Sequence, residues 1–276
     1  MRLLYGVKIE RVCVLDDNND LAASVAASLE TTPALLPYMP ALLADLWALG
    51  ADPDMTAQLL APMLPPHAHV LDLACGKGAV AVTLAQRLGC RVLGLDAMSA
   101  FLDEARAMAK KHGVEALCRF EQCDIRTYCR NPDQRFDAVI LSAIGPVFGS
   151  LEATVGVLRQ QTKPGGYIVI DDAWREATDT AMLPPPVAAC PTHAQAREAL
   201  TAHGDAIVVE APMPLEALRA ENQHNNTCIQ HRVDRLAERH PHHAALFCAY
   251  ASNQLYECYL LEHAYGCAVW ILQTRP

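Results

Sequence analysis

The chain has 276 residues, 52% of them hydrophobic, and 22 Lys+Arg against 31 Asp+Glu give a net charge of −9. That share of apolar residues supports a buried core and excludes a disordered chain. The acidity argues against binding a nucleic-acid backbone, and no charge-free apolar run of about 18 residues marks a membrane span.

The 11 cysteines are scattered and form no C-x-x-C pair, so neither a zinc ribbon nor a dithiol site is expected, and no metal. The N-terminus shows no basic-then-apolar leader. The expectation is a cytoplasmic protein with reduced thiols.

In chain order, Leu3–Leu15 reads as a short strand or an arm, and Asp16–Asp20 as a loop. Helical periodicity follows over Leu21–Leu29, Met39–Leu49 and Met55–Leu64, with Gly50 closing the second helix and Pro53 opening the third. From His69 the pattern becomes short apolar runs, at His69–Ala74, Arg91–Leu95, Leu117–Gln122, Phe136–Leu141 and Tyr167–Ile170. They alternate with helical segments at Ala79–Leu88, Ala100–His112 and Leu151–Gln161. Such alternation predicts an α/β fold with a parallel sheet covered on both faces. Ile207–Val209 and Ala268–Leu272 read as a sixth and a seventh strand, separated by helical stretches at Leu215–His240 and His243–Tyr265. A sheet connection does not need that length, so residues 211–265 are expected to be an inserted helical lid. Residues 1–66 are then a helical lead-in, and 67–210 with 266–276 the core.

The informative segment is Val70-Leu71-Asp72-Leu73-Ala74-Cys75-Gly76-Lys77-Gly78-Ala79. A strand runs into a glycine turn and then a helix, which brings backbone N–H groups close to a ligand. Gly76 and Gly78 also fit the dinucleotide pattern G-x-G-x-x-G/A, so an NAD-dependent oxidoreductase stands as an alternative. Asp72 separates the two. A carboxylate there repels a pyrophosphate and attracts a ligand carrying an ammonium and a sulfonium, such as S-adenosylmethionine. Asp96 ends the second strand, where it can accept from ribose hydroxyls of either ligand. Asp124 ends the third, where it can accept from an adenine amino group while Ile125 packs on the ring.

With these stand Phe136-Asp137-Ala138-Val139 and Lys163-Pro164-Gly165-Gly166. Together the ordered motifs resemble those of class I S-adenosylmethionine-dependent methyltransferases, over roughly residues 65–173. The C-terminal part is similar to a bacterial small-molecule subgroup. The resemblance implies a Rossmann-like seven-stranded methyltransferase sheet with N-terminal helices. It also implies S-adenosylmethionine held by Asp72, Ala74, Gly76, Gly78, Asp96, Ala97, Asp124, Ile125 and Ser142. Ala74 departs from the pattern, where a glycine often stands.

The acceptor is less legible. Ser142-Ala143-Ile144-Gly145-Pro146 carries no Asn/Asp-Pro-Pro-aromatic motif of amino-directed nucleic-acid or glutamine methyltransferases. The expectation is methyl transfer to a small molecule, with no nucleic-acid or membrane partner, by a monomer or homodimer. A nonenzymatic S-adenosylmethionine-binding protein is the other alternative. Candidate pocket residues are Tyr38, Trp47, Trp174, Asn226, Tyr250 and Tyr256. Asp172, Trp174 and Tyr256 are the candidates for a catalytic role, and the lid is expected to bring Tyr250 or Tyr256 to the acceptor.

Overall fold

A computed structural model describes residues 17–130, 133–177 and 181–275, so the reading of Leu3–Leu15 lies outside the described residues. The chain opens with α1 (Asp17–Ser28), a 3-10 turn at Pro33–Tyr38, α2 (Met39–Leu42) and α3 (Pro53–Leu60). Then come β1 (His69–Leu73), α4 (Ala79–Leu88), β2 (Arg91–Asp96), α5 (Ser99–Lys111), β3 (Cys118–Gln122) and α6 (Ile125–Tyr128). β4 (Phe136–Ser142), α7 (Leu151–Gln161), β5 (Thr162–Arg175), α8 (Pro185–Ala189) and α9 (His193–Thr201) follow. The chain ends with β6 (Ala206–Pro212), α10 (Leu215–Arg239), a 3-10 turn, α11 (Ala244–His263) and β7 (Tyr265–Gln273).

The seven strands form one sheet in the order β3-β2-β1-β4-β5-β7-β6. β1 through β5 pair in parallel, while β7 runs antiparallel to both β5 and β6. The parallel pairing expected of the first five strands is present, and β7 runs against its neighbours. The reason is the connection before it. α10 and α11 form an antiparallel hairpin, tied by Asn222 to Glu262 and by Asn226 to Cys258. The hairpin returns the chain to the end of the sheet it left, so β7 must run back down.

Period-2 alternation sorts the strand residues between two cores. Val70, Ala138, Ile140, Val169 and Ile271 pack with Ala57 and Leu60 of α3, with α4, and with Leu102 and Ala105 of α5. Leu71, Leu73, Val139, Ile168 and Ile170 face Val155 and Leu158 of α7 and Ala196 and Leu200 of α9. Helix α3 therefore belongs to the core, not to a separate lead-in. Asp52 caps it, accepting from the Asp54 and Met55 amides at 3.0 and 2.9 Å, with Pro53 as the first helical residue.

A third cluster joins Leu35, Met39, Leu42 and Leu43 to Ile229 and Val233 of α10 and to Phe247 and Tyr250 of α11. The N-terminal turns and the inserted hairpin thus form one unit on the ligand end of the sheet, resting on Phe101 of α5. The helix expected over Met39–Leu49 is a single turn. It stops at Leu42 with Pro40 in its first turn, and the carbonyl of the next residue, Leu43, accepts from Lys77 Nζ at 2.7 Å. Asp16–Asp20, expected as a loop, is helical from Asp17. Among the described residues no helix is long and apolar enough to cross a membrane.

Candidate functional site

The strand order reverses between β1 and β4, and in open α/β sheets ligands bind in the crevice at that switch point. A cleft, partly open to solvent, lies there. Its floor is the carboxyl end of each of the first four strands: Asp72 and Ala74, Asp96 and Ala97, Asp124 and Ile125, and Ser142 and Ala143. The sequence-predicted cofactor residues converge on this one cleft, with Gly78 as the exception. Gly78 starts α4 at φ 73°, and a Cβ there would meet Ala105 Cβ at 2.8 Å and the Phe120 ring at 3.0 Å. Helix-to-strand packing requires that glycine, whereas Gly76, at φ 52°, lines the cleft itself.

Asp72 is buried at the end of β1, and its Oδ2 has no hydrogen-bond partner. Burial, and then the charge of Asp96, push its carboxyl up to about 7 against the pull of the Ala81 backbone amide. A buried carboxylate oxygen without a partner is costly unless a cation or donor arrives. Asp96 is arranged differently. Its Oδ2 accepts from the Gly76 amide at 2.9 Å and its Oδ1 from the Met98 amide at 2.8 Å. Burial raises its carboxyl, with the Met98, Gly76 and Ala97 amides opposing. Asp96 therefore shapes the glycine loop as well as facing the cleft. At Asp124 partial burial pushes the carboxyl up, but the Arg126 guanidinium and backbone amide outweigh it and hold it below its ordinary value. The Arg126 Nε contacts both Asp124 oxygens, at 3.0 and 3.1 Å.

Ala74 adopts φ 55°, a left-handed conformation that favours glycine, and Ala143 does the same after β4. Such strain costs of order 1–3 kcal/mol and persists where the surroundings enforce it. Ala74→Gly is expected to change stability by less than about 1 kcal/mol, because relief of strain offsets the added freedom of the unfolded chain. Ala74→Val, β-branched in the same conformation, is expected to cost about 1–3 kcal/mol. Thermal unfolding separates the two, and a Val variant as stable as the parent contradicts a strained Ala74.

Sequence reasoning missed how the cleft is roofed. Leu21, Ser24, Val25, Ser28 and Leu29 of α1 and its last turn line it. Two bonds hold α1 across the strand ends. Arg126 pairs with Asp20 at 3.0 Å, and Ser28 Oγ donates to the Ile144 carbonyl at 3.3 Å. Trp47 also lines the cleft, and its Nε1 donates to the Lys77 carbonyl at 3.1 Å. Lys77, only 1% exposed, reaches the Leu43 carbonyl and pairs with Glu104 at 2.8 Å, so the glycine loop is fastened to the roof.

The remaining acceptor candidates lie elsewhere. Tyr38 packs edge-on against Phe247 and beside His240 and His243. Tyr250 is buried in the roof cluster, Asn226 donates to Cys258 Sγ, and Tyr256 is 47% exposed on the outer face of α11. Alternation puts Trp174 on the face away from Asp72, where it packs on Trp270 and His193. Asp172 lines a separate small recess with Leu141, Ile144 and Thr154. The hairpin holding Tyr250 and Tyr256 backs the N-terminal turns and does not line the cleft, so α1 takes the place expected of the lid.

Comparison with known proteins agrees with this geometry. A family described as a methyltransferase domain matches residues 64–256. The chain is similar in structure to a S-adenosylmethionine-dependent methyltransferase of Geobacter sulfurreducens, crystallised with S-adenosyl-L-homocysteine. That match has a TM-score of 0.72 at 18% identity, covering 87% of this chain and 98% of that one. It is similar to YjhP of Escherichia coli in sequence, 28% identical over 118 residues, 42% of this chain and 47% of that protein. The YjhP structure superposes with a TM-score of 0.69 at 18% identity, covering 86% of this chain and all (100%) of that one. A trans-aconitate 2-methyltransferase of Delftia acidovorans is 35% identical over 131 residues, 46% of this chain and 47% of that protein. The match thus spans about half the length of these curated relatives.

Proposed function

The chain belongs to the methyltransferase-domain family as a class I S-adenosylmethionine-dependent member, and on that premise we propose that it moves a methyl group to a small-molecule acceptor. The observation that carries the reading is Asp72 Oδ2, a buried carboxylate oxygen without a partner, facing a cleft whose floor holds two further acids. A donor with an ammonium and a ribose suits these groups, and a pyrophosphate does not.

The chain's residues divide the work. Asp72 would accept from the ammonium of the donor. Asp96, already fixed by two backbone amides, would accept from ribose hydroxyls, and Asp124 with Ile125 would hold the adenine. Bound S-adenosylmethionine supplies an already activated methyl group on sulfur. What the protein must add is alignment and exclusion of water, and α1 over the strand ends serves both. A small acceptor is supported by that roof and by the trans-aconitate relative, whose name specifies a small molecule.

Titration calorimetry with S-adenosylhomocysteine and with NAD tests the reading. Saturable binding of the first and none of the second is expected. Binding of NAD alone overturns it.

A further inference from the structure

We propose that the methyl acceptor is a neutral molecule with an apolar reacting end, seated against α1. The proposal rests on the methyltransferase reading and concerns the part of the cleft that the cofactor residues do not form. That part is lined by Leu21, Val25 and Leu29 of α1 and its last turn and by Ala143, Ile144 and Val147 after β4.

The charges on the cleft are all elsewhere. Among the described residues they are Asp72, Asp96, Asp124 and Lys77. The three acids sit at the ends of β1, β2 and just beyond β3, on the cofactor side. Lys77 is 1% exposed, and its ammonium is taken by the Leu43 carbonyl and Glu104. It has no reach toward α1.

Each charged class of acceptor meets a specific obstacle. A carboxylate would be buried on an apolar wall with no cation to pair it, in a cleft that already holds three acids. Burial of an unpaired charge is costly enough to prevent tight binding. An ammonium would have to share Asp72 with the donor's own ammonium, or sit unpaired against Val25 and Leu29. A neutral acceptor meets neither obstacle. Ser24 and Ser28 offer hydroxyls on the same wall, so a single hydroxyl or carbonyl on the acceptor can be matched. Ser28 already donates to the Ile144 carbonyl, which leaves its oxygen free to accept.

The test uses the full chain with saturating S-adenosylhomocysteine and three probes. N-phenyl-1-naphthylamine is neutral and apolar, citrate is a tricarboxylate, and butane-1,4-diamine is a dication. The neutral probe is expected to bind with a rise in fluorescence, and neither citrate nor the diamine to displace it. Val25→Asp is expected to weaken the probe by about tenfold or more, with cofactor affinity within about threefold of the parent. Val25→Thr, close in shape, keeps the test open if the Asp variant does not fold, and is expected to weaken the probe by about threefold. If the parent does not bind S-adenosylhomocysteine, the functional reading fails. If it does, three results overturn this inference alone: preference for citrate or the diamine, binding of none of the three, or probe affinity unchanged in the Val25 variants.

Discussion

Asp72→Asn is expected to weaken S-adenosylhomocysteine binding by roughly tenfold to 150-fold, the equivalent of one charge-assisted hydrogen bond at about 1.5–3 kcal/mol. The same substitution is expected to stabilise the free protein at alkaline pH. The folded carboxyl titrates at about 7, raised by burial and by Asp96, against an ordinary 3.8. A raised acid favours folding below its ordinary pKa, and that contribution is lost as pH climbs from about 4 to about 7. Above pH 7 the parent carries a buried carboxylate with Oδ2 unpartnered and no cation beside it, and Asn carries no charge there. Melting curves at pH 5.5 and pH 8 should therefore cross in order, with the Asn variant ahead only at the higher pH. Affinity should follow the opposite logic, because the ionised carboxylate is the form that accepts from an ammonium. In the parent, binding should tighten between pH 5.5 and 7.5, and in the variant it should stay flat. Unchanged affinity in a folded Asn variant would remove Asp72 from the site.

Asp96→Ala is expected to damage both stability and binding. Its carboxylate satisfies the buried Gly76 and Met98 amides, so alanine leaves two donors unpaired. Each such orphan costs about 1–3 kcal/mol. A loss of about 2–6 kcal/mol lowers the melting temperature by roughly 4–24 °C in a domain of this size. Asp96→Asn keeps one acceptor oxygen and should fall between. This goes beyond a ribose-binding role, for which affinity would drop with stability intact. Thermal unfolding decides, and an Ala variant as stable as the parent would show that Asp96 does not anchor the loop.

How far these sites were legible depended on whether the signal was local. Asp72 and Asp96 stand at the ends of strands that the apolar runs announced and Asp124 just beyond a third, and the glycine turn set their common neighbourhood. A carboxylate at a strand end has its position fixed by the strand, so their convergence followed from the α/β pattern. Even there, the two hydrogen bonds that Asp96 accepts from the Gly76 and Met98 amides were not visible, because they depend on how the turn folds back.

The roof was not legible. Period 3.6 shows that α10, α11 and the N-terminal turns each have an apolar face, but not which face meets which. Tyr250 and Tyr256 share one helix, yet one is buried and the other is 47% exposed. Trp174 was misplaced for a different reason. Its strand is longer than the apolar run Tyr167–Ile170, since Pro164-Gly165 masks the start and Asp171-Asp172 the end. With the full strand in view, alternation alone sends Trp174 to the Trp270 face. Lys77 would ordinarily be read as an exposed loop lysine. Only the tertiary contact with Leu43 and Glu104 explains its burial.

A crystal structure with S-adenosylhomocysteine tests the central claim most directly. The account predicts the ligand under α1, with its ammonium within hydrogen-bonding distance of Asp72 Oδ2 and its ribose hydroxyls on Asp96. A ligand bound outside this cleft, or one in it that leaves Asp72 Oδ2 without a partner, would contradict it.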